Sequence, residues 1–179
     1  MSAAAVHIHD KVFVPFISQG DIAARVQQLA AQLSADYAGK RPLLIGILNG
    51  SFIFAADLFR GLTIEAEISF IKLASYKGTS STGHVVTAIG LEESLAGRDV
   101  IIVEDIIDTG KTLSSFLPTL HQLQPASVRI ATFLTKPTAL QYDIKADYCA
   151  FEIENKFVVG YGLDYDGLGR NLQALYILS

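Results

Sequence analysis

Between Val100 and Thr112 the chain reads VIIVEDIIDTGKT: an apolar run, two adjacent carboxylates at Glu104 and Asp105, two isoleucines, then Asp108-Thr109-Gly110-Lys111-Thr112 entering a helical pattern. Paired carboxylates supply acceptor oxygens for the hydroxyls of a sugar. Thr109 to Thr112 supplies backbone N–H donors, two hydroxyls and one ammonium, and Gly110 lets an anion come close. Acids for a diol and donors for a phosphate, set this close together, describe a site for a ribose 5-phosphate. Gly110-Lys111-Thr112 also matches the end of the phosphate-binding pattern G-x-x-x-x-G-K-[ST]. The first glycine of that pattern would fall at Asp105, where an acid repels a triphosphate, so that reading fails. His7 and His9 form an H-x-H pair with no third ligand nearby in the sequence, and a structural role is expected for them.

The elements that must hold these residues follow from hydrophobic periodicity. Ser18, with Asp21 three residues on, precedes Ile22, Val26, Leu29, Ala30, Leu33 and Tyr37, which predicts a capped helix stopping at Gly39. Leu43 to Leu48 is apolar throughout, as a strand buried on both faces requires. Asn49-Gly50-Ser51 turns into a helix from Phe52 to about Phe59. Ile64, Ala66, Ile68 and Phe70 alternate with other residues up to Ser75, the period of a half-buried strand. Tyr76 to His84, YKGTSSTGH, offers nothing to bury and reads as a mobile loop. Val85–Leu91 resumes as a strand, and Asp99–Val103 is a second fully apolar one. A loop over Glu104–Gly110 opens a helix from about Thr112 to Leu123. Ser127–Leu134 is a third buried strand, with short strands expected near Tyr148–Ile153, Phe157–Gly160 and Ala174–Leu178.

Strands alternating with helices, several of them apolar throughout, predict an α/β fold with a mainly parallel sheet flanked by helices. Ile64–Leu91 and the last stretch of chain fall outside that alternation, so a small hood or flap is expected from one or both. The organisation read from the sequence is one domain over 1–179, with a core over about 40–140, a hood from the termini and a flexible flap over about 75–85.

Composition narrows the class of partner. The 179 residues are 50% hydrophobic and 18% charged, too apolar for disorder. Fourteen basic against 18 acidic side chains give a formal charge of -4, with no overall positive field to collect a polynucleotide. Mean hydropathy is +0.36, yet Asn49, Asp57, Glu104 and Lys136 break every apolar stretch well short of the about 20 residues a membrane span needs. Neither nucleic acid nor membrane is expected as a partner. Met1–Asp10 lacks the basic and apolar regions of a secretory signal. The single cysteine, Cys149, sits in an apolar stretch as a small buried hydrophobe and suits a reducing compartment. The cytoplasm is the expected location.

Val103 to Leu113, VEDIIDTGKTL, resembles the phosphoribosyl-diphosphate (PRPP) motif of the type I phosphoribosyltransferases. The resemblance runs over about residues 40–178, and Ile-Ile between the acids and Asp108 points to the hypoxanthine-guanine branch rather than to adenine or orotate relatives. It implies a sheet-and-hood fold, Mg²⁺ as cofactor, PRPP and a 6-oxopurine as substrates, IMP or GMP and pyrophosphate as products, and a homodimer or homotetramer. By the same resemblance, Glu104 and Asp105 hold the ribose hydroxyls, Asp108 lies near purine N7 as general acid/base, and Thr109, Gly110, Lys111 and Thr112 bind the 5′-phosphate. Leu48-Asn49-Gly50-Ser51 corresponds to the pyrophosphate loop, which in relatives carries a non-proline cis peptide and often Lys in place of Asn49. Arg170 matches an arginine on pyrophosphate, and Glu104, Asp105 and Asp164 match acids near the metal. Ser75 and Tyr76 open the matching catalytic flap. Lys136 matches the donor to the purine 6-oxo group, Phe157 the aromatic stacked on the base, and Val158 with Asp164 the edge of the base. Two rivals stand beside a hypoxanthine or guanine enzyme. One is a non-catalytic nucleotide-binding regulator of this fold, which the negative charge disfavours. The other is a transferase for uracil, adenine or xanthine. Lys136 opposes adenine, whose 6-amino group is itself a donor.

Overall fold

The middle stretches of Leu43–Leu48, Asp99–Ile107 and Ser127–Thr135 are buried because they lie in the middle of a sheet covered on both sides. A computed structural model describes residues 4–76 and 85–179. In chain order the elements are β1 (Val6–Ile8), β2 (Lys11–Ile17), α1 (Gln19–Asp36), β3 (Leu43–Leu48), α2 (Phe52–Arg60), β4 (Glu67–Tyr76) and β5 (Val85–Ile89). They continue with β6 (Asp99–Ile107), α3 (Lys111–Gln122), β7 (Ser127–Thr135), a single 3₁₀ turn (Pro137–Ala139), β8 (Tyr148–Glu152), β9 (Val158–Val159) and β10 (Leu175–Leu178). The main sheet has the order β5-β4-β3-β6-β7-β8, with β4, β3, β6, β7 and β8 parallel and β5 antiparallel at one edge. This is the expected α/β class.

Alternate residues of each strand feed opposite faces. Leu44, Ile101, Val103 and Phe133 face α1 and α2, which contribute Ile22, Val26, Leu29, Leu33, Phe54 and Leu58. Leu43, Ile45, Val100 and Ile102 face Leu113, Phe116 and Leu120 of α3. Ser18 caps α1 through its hydroxyl, which accepts from the Asp21 N–H at 3.1 Å, as its sequence predicts. From the same helix Arg25 reaches the outer strand β8 and donates to the carbonyls of Cys149 and Ala150 at 2.7 and 2.9 Å. The Cys149 thiol is partly rather than fully buried, and burial pushes its pKa up.

A second sheet, in the order β1-β2-β10-β9, is antiparallel and joins the two ends of the chain into a hood. Its C-terminal half is as expected; β1 and β2 carry no clear period in the sequence. Pro15, which cannot donate to a ladder, interrupts β2 and pairs with Tyr176 where the register shifts by a bulge. Of the two stretches from one or both of which a hood or flap is expected, Ile64–Leu91 stays out of the second sheet: β4 lies parallel to β3 inside the main sheet, and β5 is its antiparallel edge. β4 also runs through Tyr76, which pairs with Val85, rather than stopping at Ser75. Of the flap expected over about 75–85, residues 77–84 lie outside the described residues. No helix among the described residues is long and apolar enough to cross a membrane.

Phe133 is fully buried, and its ring packs on Phe54, Phe151 and Tyr161 with centroids 5.8, 5.8 and 4.7 Å away. Phe133→Ala should cost about 3–5 kcal/mol by the usual cost of emptying a core aromatic site. Urea unfolding measures it, and a loss under about 1 kcal/mol would show that this face can collapse around the gap.

Candidate active site

Strand order reverses between β3 and β6: β3 leads outward to β4, and β6 leads the other way to β7. In open parallel sheets, the carboxyl ends of the strands at such a reversal form the ligand crevice. β3 and β6 pair only from Leu43↔Val100 to Gly46↔Val103, so their ends part beyond that point. Glu104 and Asp105 follow directly. The loop expected over Glu104–Gly110 is corrected here: β6 continues through Ile107, with Glu104 opposite Thr132, and only Asp108–Gly110 forms the turn. Glu104 is therefore fixed by a sheet ladder, and Asp105 follows it within the same strand.

That fixation has an electrostatic cost. Glu104 is 7% exposed. Burial first, and the Asp105 carboxylate second, push its pKa well above the ordinary 4.5. Burial also raises Asp105, opposed by the Ile106 N–H, which donates to its Oδ1 at 2.8 Å, and by the Arg170 guanidinium. A buried carboxyl at Glu104 followed by a partly buried one at Asp105 is a site that a cation or hydroxyl donors would relieve. Glu104 and Asp105 thus fit a divalent ion shared with a ligand's oxygens. Among the described residues, no group of three His, Cys, Asp or Glu converges closely enough to hold an ion alone. His9 instead stands edge-on to Tyr165 and donates from Nε2 to the Asp166 carbonyl at 3.2 Å.

The turn after β6 forms the anion cradle. Gly110 has φ +82°, a left-handed conformation, and begins α3. The Thr109 carbonyl accepts from the Gln141 and Tyr142 N–H groups at 3.0 and 3.3 Å, and the Lys111 N–H donates to the Thr109 hydroxyl at 3.3 Å. A hollow of about 90 Å³ is lined by Glu104, Asp108, Thr109, Gly110, Lys111 and Thr112, with three apolar neighbours. First-turn N–H groups of a helix lack partners within it, so they are free to meet an anion.

Beside the cradle, Lys136 is 7% exposed at the end of β7. Its Nζ meets Asp108 Oδ2 at 3.0 Å, and its N–H donates to the Ile107 carbonyl at 3.0 Å. The sequence treats these two residues separately, one for N7 and one for O6 of a purine. In the fold they are partners, side by side as N7 and O6 are on the base. Phe157 is 43% exposed, an open aromatic face above Phe13 and Tyr165, while Val158 is buried in β9.

The third wall comes from β3 and the hood. The Leu48–Asn49 peptide is cis, as the resemblance implies. Asn49 is exposed and Gly50 buried. The Ser51 hydroxyl donates to the Ile47 carbonyl at 2.6 Å and closes the turn. A Cβ at Gly50 would overlap the Asp105 carboxylate, and one at Gly162 would overlap the Gly50 carbonyl. Asp105, Gly50 and Gly162 therefore stack in direct contact. Asp164 and Arg170, expected to serve a metal and pyrophosphate, hold each other at 2.7 Å, and Arg170 also donates to the Gly162 carbonyl at 2.7 Å. Ser75 and Tyr76 end β4, whose outer neighbour is β5. Sequence reading missed Asp57, Tyr161 and Gly162. Only the glycines flanking Tyr161 hint at the close approach.

A wider concavity of about 370 Å³ lies at the opposite end of the strands. Its acids are already engaged: Asp36 accepts from the Tyr148 hydroxyl, Asp99 meets Lys40 and Asp147 meets Arg129. The crevice with under-compensated charge is the one at Glu104.

The raised Glu104 pKa makes a stability prediction. Below about pH 4.5 the folded and unfolded forms both hold the proton. Above it the unfolded chain releases the proton while the fold retains it, so stability falls as pH rises. Glu104→Gln should therefore stabilise the ligand-free protein at neutral pH by about 1 kcal/mol, a Tm gain of about 2–4 °C. The gain should vanish near pH 4, and scanning calorimetry at both values checks it. An equal gain at both would locate the effect elsewhere.

Comparison with known proteins agrees with this geometry. The phosphoribosyl transferase domain model matches residues 18–166. The hypoxanthine-guanine phosphoribosyltransferase of Streptococcus agalactiae is 44% identical over 163 residues, 90% of this chain and 91% of its own. The hypoxanthine-guanine-xanthine enzyme of Tritrichomonas foetus is 40% identical, covering 90% and 89%. Among solved structures, a hypoxanthine phosphoribosyltransferase from Staphylococcus aureus superposes with TM-score 0.85 at 41% identity, covering 92% and 90%. With a family model spanning most of its length and relatives this similar over nine-tenths of it, the chain belongs to the phosphoribosyltransferase family.

Proposed function

We propose that the protein is a purine-salvage enzyme that transfers the 5-phosphoribosyl group of PRPP to N9 of hypoxanthine or guanine, giving IMP or GMP and pyrophosphate. The observation that carries this reading is the pairing of buried Lys136 with the exposed carboxylate of Asp108 at 3.0 Å, beside the acid pair and the anion turn. An ammonium and a carboxylate on adjacent positions match the adjacent O6 and N7 of a 6-oxopurine. Adenine would set its 6-amino donor against the lysine. The relatives' names support hypoxanthine and guanine, and a xanthine-preferring enzyme is not favoured.

In this reading Thr109–Thr112 bind the 5′-phosphate, and Glu104 and Asp105 accept from the ribose hydroxyls. Phe157 stacks on the base, and the backbone of Val158 and Asp164 meets its edge. Asn49 and Gly50 line the diphosphate position, with Arg170 released from Asp164 to meet its charge. The N9 lone pair forms the bond to C1 of the ribose as the bond from C1 to the diphosphate oxygen breaks, with inversion. The purine N7 proton passes to Asp108. Positive charge on the sugar in the transition state is favoured by the carboxylates beneath it. Mg²⁺, held through Glu104, Asp105 and Asp164 with the substrate's own oxygens, would neutralise the departing diphosphate. Ser75 and Tyr76, at the start of the segment after β4, would close over the reacting groups and exclude water. We place the enzyme in the cytoplasm, as one domain that self-associates into dimers or tetramers.

The test mixes the protein with PRPP and Mg²⁺ and offers hypoxanthine, guanine, xanthine and adenine separately, following nucleotide formation by absorbance and chromatography. Rapid formation of IMP or GMP, with adenine inert, is the expected result. If no base reacts although PRPP binds, the protein is a regulator and not an enzyme. Asp108→Asn keeps the shape and the contact to Lys136 but not the proton exchange. Its kcat should fall by about 10²-fold or more, and an unchanged kcat would remove Asp108 from the proton transfer.

A further inference from the structure

The phosphate-side wall of the crevice is made of two segments far apart in sequence, the 49–51 turn leading into α2 and the 160–170 loop of the hood. Their only direct backbone contact described above, the Gly50 carbonyl against Gly162, is a van der Waals contact with nothing in it to hold a distance. One residue away, Tyr161 is 6% exposed, with its ring in the core against Phe133 and its hydroxyl donating to Asp57 Oδ2 of α2 at 2.8 Å. Three successive residues there have positive φ: Gly160 at +103°, Tyr161 at +49° and Gly162 at +102°. A non-glycine residue in that region is uncommon and needs the surroundings to hold it. The Tyr161 N–H donates to the Leu172 carbonyl at 2.8 Å, and the Gly162 N–H to the Arg170 carbonyl at 3.0 Å, so the coil is tied to the strand of chain that bears Arg170.

The geometry points to Tyr161 and Asp57 as a positioning couple that sets the spacing between the Asn49–Gly50 turn and the Asp164–Arg170 loop, and so the fit of the diphosphate of PRPP. The inference rests on the function proposed above and adds two residues that touch neither the base nor the sugar. Asp57 lies on α2, the helix that begins where the 49–51 turn ends, so the bond links one wall to the other through rigid elements. The Tyr161–Asp57 bond and the Lys136–Asp108 pair are separate, sharing no residue. Loss of the couple should therefore be felt by the diphosphate and not by the purine.

Tyr161→Phe removes only the hydroxyl and leaves the ring in the core. Expected is a rise of about 5–10-fold in KM for PRPP, the size of one lost hydrogen bond, with KM for hypoxanthine within about twofold and Tm within a few degrees. Asp57→Ala should match it, and the double variant should be no worse than either single one. Asp57→Asn, whose amide oxygen still accepts from the hydroxyl, should retain most of the affinity for PRPP. An equal rise in both KM values, additive single effects, or Asp57→Asn as damaging as Asp57→Ala would overturn the proposal. Calorimetric titration with PRPP and Mg²⁺ separates this from the enzyme reading. A wild type that binds PRPP without turning over any base overturns the activity alone, and the couple then stands or falls on whether Tyr161→Phe weakens that binding.

Discussion

Two adjacent carboxylates near the end of a central strand, Glu104 buried and Asp105 partly so, are the constraint around which the molecule is arranged. Ionised carboxylates resist burial unless something positive or hydrogen-bonding meets them. Here the sheet draws them in: β6 runs through Glu104 and Asp105 to Ile107, and Glu104, paired opposite Thr132, cannot turn out to water without breaking the ladder to β7. What the fold provides in return is incomplete. Asp105 has one backbone N–H and the field of Arg170. Among the described residues no cation pairs with Glu104, and burial holds it toward the protonated form. A site left short of positive charge when empty has affinity in reserve for a ligand that brings hydroxyl donors and a divalent ion.

The same strand explains why the rest of the site collects there. Because β3 and β6 separate beyond Gly46 and Val103, the space over their ends is open to the 49–51 turn on one side and to the Asp108–Gly110 turn on the other. The hood then approaches from above and fits only because glycine stands at the contacts. Asp105 presses on Gly50, and Gly50 presses on Gly162. Any side chain at either glycine would separate the acid pair from the loop that carries Asp164 and Arg170. The hood, built from the two ends of the chain, thus becomes part of the crevice and not merely a cover for it.

The order of elements was legible because its signals are local. Apolar runs at 43–48 and 99–103 read as buried strands, and Ser18 with Asp21 read as a helix start; the acid pair followed by Thr-Gly-Lys-Thr read as sugar and phosphate chemistry. What could not be read depends on contacts across the fold. Glu104–Ile107 looked like a loop because charged residues interrupt the apolar pattern, whereas the ladder to β7 carries them as strand. Ile64–Leu91 looked like an appendage because its alternation signals a half-buried strand, and β4 is partly exposed although it lies in the main sheet. Tyr161 and Asp57 are separated by more than a hundred residues, and no spacing rule links them.

The pairing of Lys136 with Asp108 is also invisible in sequence, and it bears most directly on which base the crevice accepts. The two charges satisfy each other at 3.0 Å, and the proposed function sets what a base must offer in exchange. A base enters only if it offers both partners something at least as good. A 6-oxopurine does so, with an acceptor for the buried ammonium next to a ring nitrogen for the carboxyl. Adenine offers a donor to the ammonium and leaves a charge that is 7% exposed without a partner. An unpaired buried polar group costs far more than a missing apolar contact, which is why sites that read hydrogen bonds can discriminate by about 10⁴-fold where apolar pockets manage about 10². On the proposed function, selection among 6-oxopurines is a weaker matter, since hypoxanthine and guanine would present the same O6 and N7 to this pair and differ only at the edge assigned there to the backbone near Val158 and Asp164.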